Sequence, residues 1–172
     1  VKIDGLTIDI GAKNGKGSYY KYLKYSKNYS ITFTDLNSNN PNLINFDLNF
    51  KFPIDNDKYK TVLLFNVIEH VYNTENLLKE SNRILSSNGK VYGIIPFLYR
   101  YHSDPTDFYR FTPDALEKKL IKAGYKNIIL KKIGIGEFKV GIQQFYHIFR
   151  FRILILILWL FSIFFDFIIK KY

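Results

Sequence analysis

Two histidines stand beside polar residues at points where the sequence leaves regular secondary structure. His70 follows a short apolar run, and His102 lies in a polar loop that also carries Asp104 and Asp107. An imidazole changes charge near neutral pH, so either ring suits a general base that removes a proton from a reacting hydroxyl group. We therefore predict His102 and His70 as catalytic residues. The alternative for His70 is a ring that packs and hydrogen-bonds to backbone.

A glycine-punctuated loop follows the first apolar run of the chain. The run Thr7–Ile10 leads into glycines at positions 11, 15 and 17. Glycine adopts positive φ freely and lets backbone approach a ligand closely, and the first N–H groups of a following helix attract an anion. This spacing favours a site for the anionic part of a nucleotide-like cofactor, with an ordinary glycine turn as the alternative.

The stretch after this loop predicts a β-α-β unit. Tyr19, Tyr22 and Leu23 recur at helical spacing between residues 18 and 25. A second strand-like run, Ser30–Thr34, ends at Asp35. An acid at the tip of the second strand of such a unit accepts hydrogen bonds from ribose hydroxyls. The alternative is that Asp35 only begins a polar turn.

Strands and helices alternate along the rest of the chain. Strands are predicted at Leu43–Phe46, Thr61–Phe65, Lys90–Ile95 and Asn127–Lys131, with one helix from Asn73 or Thr74 to the turn Ser86–Gly89 and another after Thr112. This alternation predicts an α/β fold, Rossmann-like, with a doubly wound and mostly parallel sheet. Ligands of such sheets bind beyond the carboxyl ends of the strands, where Asn66, Glu69 and His70 emerge.

The order of these motifs resembles the class I S-adenosylmethionine-dependent methyltransferases, in particular the small enzymes found among polysaccharide and lipopolysaccharide genes. The matching segments are Asp9-x-Gly11, Asp35, Asp47, Asn66–Val71, Asn82–Gly89 and Pro96–Thr112. They cover roughly residues 5 to 132. The resemblance implies an enzyme with a methyltransferase-like, cofactor-binding domain over residues 1–140.

The resemblance also implies a cofactor, S-adenosylmethionine, and the residues that hold it. These residues are Asp9, Gly11, Gly15, Asp35, Asp47 and Asn66. Gly11 lets the backbone approach the methionine portion, and Asp35 holds the ribose hydroxyls. Asp47 meets the adenine amino group, and Asn66 lies near the methionyl group. Lys13 departs from the family pattern, because many relatives have a further glycine there.

The implied reaction is methyl transfer to a hydroxyl group of a saccharide or a lipid-linked glycan. Asp107, Tyr109 and Arg110 are then predicted to form the wall of the acceptor site. A guanidinium group there grips a phosphate or a carboxylate with two hydrogen bonds. The alternative is that Arg110 pairs with Asp107 and pins the loop before the next helix.

Residues 141–172 differ abruptly in composition and predict a hydrophobic, membrane-associating helical tail. Ile153–Phe165 carries no charge, while Arg150 and Arg152 precede it and Lys170 follows it. A helix over residues 153–169 would measure roughly 25 Å, just short of a hydrocarbon core of about 30 Å. It spans the membrane, inserts shallowly or packs against a partner. The basic flanks favour the inner, anionic face of the membrane.

The composition limits the classes of partner that this protein is expected to bind. The net charge is +10, from 25 Lys and Arg against 15 Asp and Glu, and the basic residues are dispersed rather than clustered. We therefore expect an anionic membrane surface and a saccharide or lipid-linked acceptor as partners, and no nucleic acid. The absence of cysteine and the scatter of the three histidines predict no metal site. No signal peptide is recognised, so we expect a cytoplasmic protein.

Two other functions stay open. The chain begins at Val1 and contains no Met, which predicts a piece truncated at one or both ends. It would then be a non-catalytic, methyltransferase-like fragment with a membrane-associated role. An NAD(P)-dependent oxidoreductase shares the glycine spacing. The Tyr-x-x-x-Lys pair that such reductases need occurs only at Tyr20 and Lys24, inside the predicted first helix.

Overall fold

The computed structural model describes residues 2–12, 17–133, 138, 140–142 and 152–169. The chain divides into two compact units. The first comprises Val1–Phe97 and His102–Ile129, and the second comprises Leu98–Tyr101 and Leu130–Tyr172. The predicted site residues that the structure describes all belong to the first unit.

The first unit is built on a parallel sheet of five strands in the order β3-β2-β1-β4-β5. The strands are β1 (Lys2–Asp9), β2 (Lys24–Asp35), β3 (Leu43–Asn45), β4 (Tyr59–Phe65) and β5 (Leu85–Ile94). The strand order reverses between β1 and β4, which is where open α/β sheets leave a crevice for a ligand. The predicted α/β, Rossmann-like fold with its parallel sheet is confirmed.

The continuous apolar run of β4 places side chains in two buried clusters. Val62 and Leu64 belong to the larger cluster, which the helices α1 (Thr74–Arg83) and α2 (Pro113–Lys122) cover. Leu63 and Phe65 alternate with them and belong to a smaller cluster. Successive side chains of a strand point to opposite faces, so β4 is buried on both sides.

The predicted starts of both helices are confirmed. The side chain of Asn73 accepts a hydrogen bond from the N–H of Asn76 at 3.1 Å, and α1 begins at the next residue. The hydroxyl of Thr112 accepts from the N–H of Ala115 at 3.3 Å, and Pro113 is the first residue of α2. Each cap satisfies an amide that the helix itself leaves without a partner.

Two predicted helix boundaries are wrong, one after the glycine loop and one at the end of α1. The stretch expected to be helical from residue 18 to 25 is a short 3₁₀ helix, Ser18–Tyr22, and β2 already begins at Lys24. The turn signal Ser86–Gly89 does not end α1, which stops at Arg83. Instead it forms a bulge inside β5, because Leu85 pairs with Tyr59 and Lys90 with Thr61.

The strand predicted at Asn127–Lys131 is also wrong. Asn127 has a φ of 54° and Ile129 is 79% exposed, and the segment belongs to no ladder among the described residues. A strand is stabilised by pairing with a neighbour, which an apolar run does not supply by itself.

The second unit contains the helix α3 (Arg152–Ile169). Within this unit, Asp166 is buried, and its Oδ1 accepts from the N–H of Phe138 at 3.1 Å. The hydroxyl of Ser162 donates to the carbonyl of Trp159 at 2.7 Å. In the part of the chain that the structure describes, no helix has both the length and the apolar character needed to cross a membrane.

Candidate active site

The predicted cofactor residues that the structure describes follow the carboxyl ends of neighbouring strands. Asp9 ends β1, Asp35 ends β2, Asp47 follows β3 and Asn66 follows β4. Parallel strands that lie side by side end at the same edge of the sheet. The strand order therefore arranges these side chains along that edge as Asp47, Asp35, Asp9 and Asn66. Gly15 and Lys13 lie outside the described residues.

Gly11 lies in a tight turn that follows β1. Its φ is 70°, and its N–H donates to the hydroxyl of Thr34 at 3.2 Å. A Cβ at this position would lie 3.1 Å from Cγ2 of Val67. Both the backbone angle and the lack of space therefore require glycine. The role of Thr34 was not predicted, because nothing in the sequence marks which threonine of β2 faces the turn.

Asp9 is fully buried and holds two tyrosines. The hydroxyl of Tyr19 donates to Asp9 Oδ2 at 2.8 Å, and that of Tyr20 donates to the same oxygen. The other oxygen, Oδ1, is buried and has no hydrogen-bond partner among the residues that the structure describes. Burial raises the pKa of Asp9 to about 6, against the lowering effect of the two hydroxyls. Sequence reasoning missed both tyrosines as partners of this acid.

Asp35 and Asp47 are each held by the turn that follows them. Oδ1 of Asp35 accepts from the N–H of Leu36 at 2.7 Å. Oδ1 of Asp47 accepts from the backbone N–H and the side-chain amide of Asn49, both at 2.8 Å. Asp35 thus begins a turn and also stands at the tip of β2, so the two alternatives for this residue are compatible.

Asn66 joins the ends of two strands. Its N–H donates to the carbonyl of Ile94, the last residue of β5, at 2.8 Å, and its φ is 54°. Asparagine tolerates this left-handed conformation better than most residues. The turn at Asn66 directs the chain from β4 into the short 3₁₀ helix Ile68–His70.

Glu69, in that 3₁₀ helix, is the most deeply buried acid near the histidines. Its side chain is wholly buried, and neither carboxylate oxygen has a hydrogen-bond partner within the described ranges. Oε1 lies 3.7 Å from Nε2 of His70 and 3.8 Å from Nε2 of His102. Burial raises the pKa of Glu69. Its backbone carbonyl accepts from the N–H of Phe108 at 2.8 Å, which ties this turn to the loop before α2.

The expectation that the histidines are scattered is wrong for His70 and His102. Their ring centroids are 4.9 Å apart, and ligand atoms of Glu69 and both rings lie within 4.8 Å of one another. Nδ1 of His70 contacts the carbonyl of Thr106, and the hydroxyl of Thr106 donates to the carbonyl of His70 at 3.3 Å. His70 and His102 are distant in sequence, so only the packing of the loop before α2 onto the turn Ile68–His70 brings their rings together.

Asp107 and Arg110 bind each other in the same loop. Both terminal guanidinium nitrogens of Arg110 donate to the carboxylate of Asp107, with Nη2 at 2.7 Å from Oδ2. The backbone N–H of His102 also donates to Oδ2 of Asp107 at 2.8 Å. Arg110 holds the pKa of Asp107 well below its usual range. This arrangement corresponds to the alternative in which Arg110 pins the loop.

Tyr109 lies on the outer side of this loop. Its hydroxyl donates to the carbonyl of Tyr72 at 3.0 Å. It lines a cavity of about 300 Å³ together with Tyr72, Asn73, Thr74, Glu75 and Lys119. The cavity offers an aromatic wall and both charges to a small polar molecule.

Comparison with known proteins gives one family. A family model described as a methyltransferase domain matches residues 5–129. No curated protein matches the chain.

Three solved structures illustrate the likeness. One is the partner of the Trm112 methyltransferase activator in a complex from Haloferax volcanii, with 16% identity, a TM-score of 0.55 and coverage of 72% of this chain and 62% of that one. Another is a SAM-dependent methyltransferase from Archaeoglobus fulgidus, with 15% identity, a TM-score of 0.57 and coverage of 77% and 66%. The third is Haemonchus contortus phosphoethanolamine N-methyltransferase 2 with phosphomonomethylethanolamine and S-adenosylhomocysteine, with 15% identity, a TM-score of 0.56 and coverage of 74% and 34%. The chain spans about three fifths of the length of the Haloferax protein.

Proposed function

Because the chain belongs to the methyltransferase domain family, we propose that it is an S-adenosylmethionine-dependent methyltransferase that acts on a hydroxyl group of a saccharide or lipid-linked glycan. The observation that carries the proposal is the row of acids along the carboxyl edge of the sheet, beside the glycine turn at Gly11. The nematode enzyme among the similar structures is described with S-adenosylhomocysteine, the product of that cofactor.

The residues at this edge fit the charge pattern of the cofactor. Its sulfonium and ammonium groups are cationic, and Asp9 has a buried oxygen with no hydrogen-bond partner among the described residues. Gly11 has a φ of 70°, a turn conformation of the kind that lets backbone approach a ligand. Asp35 would hold the ribose hydroxyls and Asp47 the adenine amino group, while Asn66 would lie near the methionyl group.

The chemistry divides between cofactor and protein. When bound, the cofactor supplies a methyl group on a sulfonium, and the acceptor oxygen forms a bond to that carbon as the C–S bond breaks. The protein holds the acceptor in line with that bond and removes its proton. The cluster of Glu69, His70 and His102 is where we place proton removal, with His102 and His70 as the candidate bases.

The state of Arg110 favours an uncharged acceptor. Both of its terminal nitrogens donate to Asp107, so a phosphate or carboxylate on the acceptor would have to compete with an existing bidentate pair. A sugar hydroxyl makes no such demand. Tyr109 lies beside a shallow, open depression with aromatic and polar groups, which supports a saccharide acceptor.

We further propose that α3 attaches the protein to the inner face of an anionic membrane by shallow insertion. Many of its large apolar side chains are exposed, among them Ile153, Phe161 and Phe167. Exposed apolar side chains on all sides of a helix, with basic flanks in the sequence, favour contact with a lipid surface. Sedimentation with vesicles should show more binding to anionic than to neutral lipid. Equal and negligible binding to both would contradict the proposal.

Calorimetric titration of the full chain tests the main proposal. We expect binding of S-adenosylhomocysteine and none of NAD. Asp35→Asn should weaken binding by at least about tenfold, because a lost hydrogen bond to a charged group is worth about 1.5 kcal/mol or more. The matched control is Asp55→Asn, since Asp55 is an exposed acid away from the strand ends.

The other outcomes separate the alternatives. Binding of NAD without S-adenosylhomocysteine would replace the proposal by an oxidoreductase. Binding of neither would leave the non-catalytic relative. Equal losses in the Asp35 variant and its control would show that the acid does not contact the cofactor.

A further inference from the structure

We infer that Glu69, His70 and His102 form a binding site for one divalent first-row transition-metal ion, of the Zn²⁺ or Fe²⁺ type. The site lies beyond the carboxyl end of β4, where the 3₁₀ helix Ile68–His70 meets the loop before α2. Metal binding does not depend on the proposed methyl transfer. The role that the ion plays there does rest on it.

The three donor atoms already face one another. Oε1 of Glu69 is 3.7 Å from Nε2 of His70 and 3.8 Å from Nε2 of His102. Donors bonded to a first-row ion at about 2.0–2.2 Å lie roughly 3 Å apart. The observed separations are therefore slightly wider than a loaded site requires. Small rotations of the side chains would close them around an ion.

Glu69 provides a second observation that favours a cation here, because its ion-pair partners among the described residues are the two imidazoles, which are cationic only when protonated. Its side chain is wholly buried, and both carboxylate oxygens have no hydrogen-bond partner in the described part of the chain. The distances to the two imidazoles exceed those of hydrogen bonds. A buried carboxylate without a partner is costly unless a cation offsets it. A metal ion between Glu69 and the two rings would do so.

The far nitrogen of the His70 ring is held in the manner of a metal-binding histidine, and that of His102 has two competing neighbours. Nδ1 of His70 contacts the carbonyl of Thr106, and Nδ1 of His102 lies 3.3 Å from Oδ2 of Asp107. A ring that donates from Nδ1 keeps the lone pair on Nε2, which is the atom that faces Glu69. Nη2 of Arg110 lies 3.3 Å from Nδ1 of His102 and can only donate to it, while the pair of Arg110 with Asp107 fixes the position of that carboxylate. Binding of an ion at Nε2 of His102 would therefore move the ring proton to Nδ1, where Asp107 can accept it.

The donor set indicates the class of metal. Two imidazoles and one carboxylate suit Zn²⁺ or Fe²⁺, whereas Mg²⁺ and Ca²⁺ prefer oxygen donors. Three protein ligands leave coordination positions open, and the side chains of His70 and His102 are 12% and 28% exposed. An acceptor hydroxyl bound at an open position would lose its proton more easily. With the ion bound, the imidazoles would act as ligands in place of the base role given above, and the proton would leave to solvent water, which reaches both partly exposed rings.

Metal binding by the full chain tests the inference. After treatment with a chelator, we expect equilibrium dialysis to show one Zn²⁺ or Co²⁺ per chain and Co²⁺ to develop a visible absorption band. Glu69→Gln and His102→Ala should each weaken binding by at least about 100-fold, more than the loss of an outer partner. Glu117→Gln is the matched control, because Glu117 is an exposed acid on α2.

X-ray absorption of the Zn²⁺-loaded wild type provides a measurement that needs no variant. It should show two imidazole ligands together with oxygen donors. No metal binding by the wild type, binding undiminished in both variants, or a ligand set without two imidazoles would each overturn the inference. Titration of the same samples with S-adenosylhomocysteine separates the proposals: metal binding without that ligand leaves the site and removes the methyltransferase, and the reverse result removes only the metal.

Discussion

Asp9 and Glu69 are two buried carboxylates at the same edge of the sheet, and their side chains have different neighbours. Asp9 ends β1, and Glu69 follows β4, the neighbouring strand. Burial raises the pKa of both. Asp9 accepts hydrogen bonds from Tyr19 and Tyr20, whereas Glu69 has two imidazoles just beyond hydrogen-bond distance.

Burial alone does not determine what an acid does in this protein. Hydroxyl donors stabilise the negative charge of Asp9 within the protein and hold this carboxylate in place at the end of β1. Glu69 has no such donor among the described residues and faces two groups that bind metals or protons. We therefore expect changes around Asp9 and changes at Glu69 to affect the free energy of unfolding differently.

Removing the hydroxyls of Tyr19 and Tyr20 should leave Asp9, like Glu69, without its hydrogen-bond donors. In the double variant Tyr19→Phe and Tyr20→Phe, the free energy of unfolding at pH 7.5 should fall by about 3–5 kcal/mol, because hydrogen bonds to a charged group contribute about 1.5–3 kcal/mol each. Urea denaturation measures the loss. Tyr22→Phe is the matched control, since Tyr22 is 72% exposed. A double variant as stable as this control would show that the hydroxyls contribute nothing.

The pH dependence of stability should reveal Asp9 directly. Its pKa is raised from 3.8 to about 6 in the folded protein, so its favourable contribution is complete below pH 3.8 and is lost as pH rises through 6. Between about pH 4 and pH 7 this loss amounts to about 2 kcal/mol. Asp9→Asn should remove that component. The same pH profile in the wild type and in Asp9→Asn would refute the shifted pKa.

A side chain at Gly11 should disturb the cofactor side without touching the histidine cluster. Gly11→Ala places a methyl group 3.1 Å from Val67 at a φ of 70°. We expect a loss of about 1–2 kcal/mol in the free energy of unfolding, from the strained backbone angle. Calorimetry should also show weaker binding of S-adenosylhomocysteine, while Zn²⁺ binding stays unchanged. Loss of Zn²⁺ binding in this variant would mean that the two regions are coupled.

Neutralising Glu69 should have the smallest effect and the opposite sign. In Glu69→Met, an apolar side chain of similar length replaces a buried charge without a hydrogen-bond partner in the described ranges. The metal-free variant should be more stable than the metal-free wild type by about 1 kcal/mol. Added Zn²⁺ should raise the melting temperature of the wild type alone. A large loss of stability in metal-free Glu69→Met would show that the protein itself stabilises this carboxylate.

Local sequence patterns predicted much of the fold. The side chains of Asn73 and Thr112 cap helices within three residues of themselves, and the apolar run of β4 indicates a strand buried on both faces. Asn127–Lys131 shows where such reasoning fails. Its composition suits a strand, yet the described residues provide no neighbouring strand for it to pair with. Pairing is a property of the whole chain.

Some features of the candidate site could likewise be predicted from the sequence, and others could not. The parallel α/β order, the family and the position of the acids at strand ends could be predicted from the sequence, because periodicity and short motifs are local properties. The contacts of Asp9 with two tyrosines, of Gly11 with Thr34, and of His102 with His70 over Glu69 became evident only from the folded chain. These contacts join residues far apart in the chain, and their energies depend on burial and distance, which exist only once the loops have packed onto the sheet.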